Sequence, residues 1–284
     1  MNRAGLYEVL DTYLRALGSR DPHALNWAAA PLTSENNVML AVGDGLWGTI
    51  DAVGSYRLRF ADPARGQVGY FGTVHEHVEE SAFTVRLKLN DAGAIEEAET
   101  IVVRQSDSGI KFENPCYWDK PILNADAQSP VPRPEMIRLA NGYFETLQLN
   151  DGTIHTRFHP DCNRVENGVQ TTRNPDFATI VPVAALGCEE QFRMGNYRYD
   201  DRLRARRFPL LDEQRGLVLA FGFIDHAGRL AEYQLTDGRT VKSPVRRPHS
   251  FYLAELFKID FGLICQIEAN FITVPYHMPS PWDS

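Results

Sequence analysis

The sequence has no C-x-x-C pair, and its four cysteines, Cys116, Cys162, Cys188 and Cys265, stand far apart. That spacing offers neither a disulfide framework nor a structural zinc site, so buried free thiols are the expectation. No apolar run approaches the roughly 18 residues of a membrane span, and the opening MNRAGLYEVLDTYLRAL has helical spacing rather than the form of a leader. A cytoplasmic protein with no membrane partner is expected. Basic residues are outnumbered 29 to 37, giving a net charge of −8, and no long Lys/Arg run exists, which argues against a nucleic-acid partner. There is no Walker loop, no G-x-G-x-x-G after a strand, no G-x-S-x-G elbow and no H-E-x-x-H helix. Nucleotide, flavin and serine-hydrolase chemistry therefore have no motif to rest on, and no cofactor is expected.

What the chain does have is an internal repeat. Leu6, Val9, Leu10, Tyr13, Leu14 and Leu17 form a helical apolar stripe that Met136, Leu139, Ala140, Tyr143, Phe144 and Leu147 repeat 130 positions later. ENNV at 35–38 matches ENGV at 166–169, an offset of 131, which pairs Glu35 with Glu166. RGQVGYFGTVHEH (65–77) matches RGLVLAFGFIDHA (215–227) at an offset of 150. FTVRLKLNDAGAIEEAET (83–100) matches YLAELFKIDFGLICQIEA (252–269) at 169, pairing Glu99 with Glu268. The last two strands of each half read as a hairpin around Asp-x-Gly. Offsets growing by 150 − 131 = 19 and 169 − 150 = 19 place two insertions in the second half, near 170–200 and 228–250, as loops that could cover a pocket.

These patterns predict an α+β fold of two units: residues 1–112, a proline-rich linker over 113–132, and residues 133–284 with the insertions and a tail. Each unit is expected to be a curved antiparallel sheet packed on helices, and the two sheets to pack together as a pseudo-dimer. In this order of elements the chain resembles the nuclear transport factor 2-like, or SnoaL-like, cone fold in tandem. ENNVML, GDGLWGT, FHPDCNRVENGVQTT, RRFPLLDEQRGLV, AELFKID and VPYHMPSPW make it similar to a group of tandem proteins in that superfamily, mostly of undefined function. The resemblance implies a cofactor-independent enzyme related to diarylpropane formaldehyde lyase, acting on a hydrophobic aromatic small molecule. The superfamily also holds isomerases, cyclases and members that only bind or scaffold. A homo-oligomer is compatible with the sequence.

The stretch FHPDCNRVENG (158–168) holds the first candidate set: Glu166 as base, His159 as acid and Arg164 as anion stabiliser. The first half keeps Glu35 but has Ala28, Ala30 and Thr33 where the second has His159, Asp161 and Arg164, an asymmetry that favours function. Turn chemistry at His-Pro-Asp and a structural Arg164–Glu166 pair form the plainer alternative. His75 and His77 at strand spacing could bind metal, although no third ligand is evident, so no metal site is assigned; His75 could instead transfer a proton. His226 falls in the matching block of the second half. Asp44 is an N-cap or a base, and Tyr56 a core residue or a phenolic acid, both on loop or helix elements near the cone mouth. Glu99 and Glu268 satisfy the fold or line the cones, and Arg207, beside Arg206, could hold an anionic or phenolic substrate.

Overall fold

The computed structural model describes residues 1–77, 79–105 and 120–282. Cys116, Pro115 and the start of the proline-rich segment lie outside them. The first half runs from helix α1 (Arg3–Gly18) through strands β1 (Trp27–Glu35) and β2 (Val38–Met39), the short helix α2 (Leu46–Thr49), and strands β3 (Ala52–Asp62), β4 (Gln67–Glu76), β5 (Glu79–Leu89) and β6 (Ile95–Val103). The second half has α3 (Arg133–Leu147), β7 (Phe158–Glu166), β8 (Val169–Gln170), α4 (Cys188–Arg193), β9 (Arg202–Asp212) and β10 (Leu217–His226). A small hairpin of β11 (Glu232–Gln234) and β12 (Thr240–Lys242) follows, then β13 (His249–Asp260) and β14 (Leu263–Val274).

Two six-stranded sheets result, ordered β2-β1-β6-β5-β4-β3 and β8-β7-β14-β13-β10-β9, so the second repeats the first strand for strand. Each is mixed rather than wholly antiparallel, because β1 runs parallel to β6 and β7 parallel to β14. Side-chain alternation reports which face a residue takes but not strand direction, so the sequence carried no signal for this. Glu35 stands opposite Thr100 and Glu166 opposite Ala269, while Ser34 and Val165 face Glu99 and Glu268. The shared E-N-x-V is turn chemistry. Asn36 and Asn167 both have positive φ, 53° and 48°, and each side chain makes two bonds to the backbone of the neighbouring strand, at Val102 and Phe271.

One strand departs from the ungapped match. Arg86 opposes Glu99, but Leu256 opposes Glu268, so Glu255 is equivalent to Val85. Between the equivalent pairs Leu89–Ile95 and Ile259–Ile264 the first half has one residue more than the second, and a one-residue slip moves every side chain to the other face.

The apolar stripe of α1 packs on one face of the first sheet, and that of α3 on the same face of the second. The opposite faces meet each other: Leu58, Phe60, Phe71 and Ile101 pack against Leu219, Phe221, Tyr252 and Ile272. Two reciprocal ion pairs lock this contact. Arg3 at the start of α1 reaches Asp212 at the end of β9, 2.5 Å away, and Arg133 at the start of α3 reaches Asp62 at the end of β3, 2.6 Å away. Asp212 also accepts from the Ala61 N–H and Asp62 from the Leu211 N–H, each at 3.0 Å. The tail crosses over as well, with Trp282 Nε1 donating to Ser34 Oγ at 3.2 Å.

Both carboxylates are buried, so removing one strands an arginine and a backbone N–H. Asp212→Ala is expected to cost roughly 3–5 kcal/mol, and Asp62→Ala the same. Urea midpoints at unchanged slope measure this, and a loss under 1 kcal/mol would show that the reciprocal pairs are dispensable.

Candidate active site

Strand alternation sends Cys162, Arg164 and Glu166 toward α3, on the face that also carries Leu253, Glu255 and Phe257 from β13. Glu255 is 3% exposed, and its direct cross-strand neighbours are both alanine, Ala220 and Ala269. The equivalent first-half positions hold Val85, Tyr70 and Thr100. A carboxyl group thus stands at the centre of the second sheet where the first has apolar filling.

Around it lie the groups that could do chemistry. Arg164, 2% exposed, contacts Glu166 Oε2 at 3.1 Å through Nε, which also donates to Thr171 Oγ1 at 3.1 Å. Its Nη2 donates to Gln191 Oε1 at 2.7 Å and Tyr197 Oη at 2.6 Å, and Nη1 reaches Tyr143 Oη at 3.4 Å. Tyr143 also lies within hydrogen-bonding reach of the Glu255 carboxyl. Burial, then the charge of Glu166, pushes Glu255 up to about 8 against the outweighed pull of Tyr143 and Arg164, so it holds its proton at neutral pH. The walls are aromatic: Tyr143 sits edge-on to Phe192 and Phe257, 5.3 and 5.0 Å between centroids.

A second polar group closes the far end. His226 Nε2 lies 2.8 Å from Asp200 Oδ1, close but without hydrogen-bond alignment, and its Nδ1 is buried without a partner among the described residues. Burial raises the Asp200 carboxyl even against the imidazole. Both insertions meet here. Tyr233 from the β11–β12 hairpin donates to Asn196 O at 2.6 Å and packs on Tyr199, while Thr236 N–H donates to Met194 O at 3.1 Å. They are therefore built from a hairpin and a helix-bearing segment that brace each other, rather than plain loops.

Of the expected residues, the structure brings Arg164, Glu166 and His226 onto this face and disperses the rest. His159 lies on the other face of β7, its Nδ1 accepting from Asp161 N–H at 3.1 Å, so it cannot join Glu166 and Arg164. His77 is past the end of β4 with φ 54°, so it shares no strand face with His75, which is half-exposed, 3.8 Å from Glu80. Among the described residues no three histidine, cysteine or acidic side chains converge as a metal site.

Glu99, Glu268, Tyr56 and Arg207 all point into the contact between the sheets rather than into a cone. Glu99 accepts from Tyr252 Oη at 2.5 Å and Arg86 Nε at 3.0 Å and pairs with Arg207; Glu268 accepts from Tyr56 Oη at 2.7 Å and meets Lys120 at 3.0 Å. Tyr56 is a β3 residue, not part of a loop or helix. Glu35 pairs with Arg104 at 3.2 Å and accepts from Leu46 N–H at 2.6 Å, which occupies the start of α2 in GDGLWG. Exposed Asp44 borders the same small cavity, about 30 Å³, and does not cap α2, whose N-cap is Gly45. Cys162, Cys188 and Cys265 are free and buried.

Residues 129–271, just over half of the chain, match the family described as a domain of unknown function (DUF8021). The chain belongs to that family. No curated protein matches it. Among solved structures, it is similar to a de novo designed protein with a curved β-sheet, at 16% identity over 36% of this chain and 88% of that one, with a TM-score of 0.30. A proposed isomerase of the SnoaL-like family from Agrobacterium tumefaciens aligns at 12% identity over 36% and 99%, TM-score 0.27. A protein from Sphaerobacter thermophilus aligns at 13% over 34% and 94%, also at 0.27. No helix among the described residues is long and apolar enough to cross a membrane.

Glu255, Tyr143, Gln191 and Tyr197 were not singled out by sequence. A charge inside the apolar run YLAELF was the available signal for Glu255, and the one-residue slip set it against Arg86, which faces the other way. Its protonation is measurable. With a folded value near 8 against the ordinary 4.5, the native state holds a proton that the unfolded chain releases, so stability is full below about 4.5 and declines as pH rises toward about 8. The decline is expected to approach about 1.4 kcal/mol per pH unit, and Glu255→Gln to flatten it. Denaturant melts at several pH values test this; equal slopes in both proteins would show that Glu255 is ionised throughout.

Proposed function

We propose that the second half is a cofactor-independent lyase site of the nuclear transport factor 2-like type, acting by acid–base catalysis on a hydrophobic, aromatic, hydroxylated small molecule. What carries this reading is the placement of Glu255, a buried carboxyl whose pKa is raised, near the arginine-paired Glu166 among the rings of Tyr143, Phe192 and Phe257. Two carboxyl groups held in different states are the equipment for moving a proton in and out of a bound molecule.

In this reading Glu166 takes the proton of a phenolic hydroxyl, and Arg164 with Tyr197 stabilises the oxygen anion that forms. Glu255 donates its proton to a benzylic hydroxyl, which leaves as water as the C–O bond breaks, and the ring becomes a quinone methide. Where the neighbouring carbon carries a CH2OH group, loss of that hydroxyl proton and cleavage of the C–C bond releases formaldehyde and returns the electron pair to the ring. Return of the protons restores both carboxyl groups. His226, set beside Asp200, borders the enclosure as a substrate-binding group. An isomerase or cyclase would use the same set.

A second reading has its own support: Arg164 spends its donors on Glu166, Thr171, Gln191, Tyr143 and Tyr197, as a closed structural network would. That suits a small-molecule-binding or scaffolding protein without turnover.

The two part experimentally. With 4-hydroxyphenyl benzylic alcohols and aryl-1,3-diols as substrates, formaldehyde release and product absorbance are expected for the wild type. Glu166→Gln and Glu255→Gln should each lower kcat by about 10²-fold or more in protein that stays folded, with Glu255→Gln melting above the wild type near pH 7 because its unfolded chain has no carboxyl to ionise at that position. Arg164→Ala should instead unfold easily, by roughly 3–5 kcal/mol. Binding of these compounds by calorimetry with no turnover, indifferent to both carboxyl variants, would establish the binding reading.

A further inference from the structure

We propose that the cleft on the opposite face of β7 binds a neutral polyhydroxylated small molecule, of sugar or cyclitol type, with Phe261 as its stacking surface. The cleft measures about 430 Å³, within the range of about 300–1,000 Å³ usual for ligand pockets. It is separated from the acid–base site by the sheet itself. His159 and Asp161, left over from the sequence motif, border it.

Its chemistry favours hydroxyl groups over ions. The segment after Lys120 supplies Asp126 and Gln128, β7 supplies Asp161 and Asn163, and β14 supplies Gln266. Amides and carboxylates together both donate to and accept from a ring of hydroxyls. The two buried charges are already engaged by the frame. Lys258 Nζ donates to Ala125 O at 2.8 Å and Arg215 O at 2.6 Å, and Asp260 accepts from the N–H groups of Gln128, Ser129 and Phe261 at 2.8, 2.7 and 3.0 Å. They fix the walls, so the groups left to a ligand are the amides of Gln128, Asn163 and Gln266 and the rim carboxylates of Asp126 and Asp161.

Phe261 is the independent observation. It and Gly262 form the two-residue turn between β13 and β14, with φ of 52° and 68°, the signature of a type I′ turn. Asparagine is favoured at the first position, and a bulky side chain at positive φ is an outlier. The residue is 58% exposed, so its side chain is not part of the core. A strained turn that holds an aromatic ring in water beside a polar cleft is explained by a ligand that packs its C–H face on the ring and its hydroxyl edge on the amides.

The turn supplies a clean variant. Phe261→Asn removes the ring and installs the preferred Asn-Gly turn, so the protein should melt at the same temperature or higher. Saturation-transfer NMR with glucose and myo-inositol at millimolar concentration, and with spermidine and 4-hydroxybenzyl alcohol as controls, reads binding. The expected result is transfer to ring C–H protons of a polyol in the wild type, weakened at least about tenfold in Phe261→Asn and in Gln266→Ala, and unchanged in Glu166→Gln. Absence of transfer to either polyol, transfer indifferent to Phe261→Asn, or transfer to spermidine or the aromatic alcohol alone would overturn the proposal.

Discussion

Two buried carboxylates, Asp62 and Asp212, decide how this molecule is put together. Each ends a strand in one half and holds the first turn of the helix in the other, while accepting a backbone N–H from the opposing strand. The starts of α1 and α3 are thereby tied to the sheet they do not cover. That sets the contact between the two sheets. Tyr143, Arg164 and Glu255 come from three elements, so their arrangement depends on this frame.

Within this shared frame the two interiors are filled differently. Where the first half has Tyr70, Val85 and Thr100, the second has Ala220, Glu255 and Ala269. Glu76 and Arg104, the arginine paired with both Glu76 and Glu35, give way to His226 and Thr273. The first half closes its charges on themselves. The second buries a carboxyl whose pKa is raised, with Tyr143 in reach, and an imidazole nitrogen that has no hydrogen-bond partner among the described residues, an arrangement that costs folding energy.

The sequence revealed the plan of the fold well, because strands of period two and helices of period 3.6 repeat at measurable offsets. It placed Glu35 with Glu166 and Glu99 with Glu268, and the strand registers agree. It said little about faces at the ends of strands. His159 and Arg164 were taken together because they are close in the chain, yet the irregular pairing before Asn163 and the alternation after it separate them. Glu99 and Glu268 looked like cavity residues because charged side chains inside apolar strands suggest chemistry, Tyr56 because its segment read as a loop or helix at the cone mouth, and Arg207 because it stands in a basic pair. Packing of the two sheets was expected from the repeat, but not that these residues take the face turned to the other sheet, where charges pair across the interface.

The C-terminal tail bears on how the chain can be cut. Trp282 stacks over Arg86 and Arg207, one from each sheet, at 5.2 and 5.6 Å, and bonds to Ser34 near the end of β1. The last aromatic of the chain thus acts as a cover on charges that belong mainly to its beginning. A fragment boundary drawn after β14, natural by inspection of the second sheet alone, would therefore open the first sheet to water. Fusion partners and affinity handles belong at the other end of the chain.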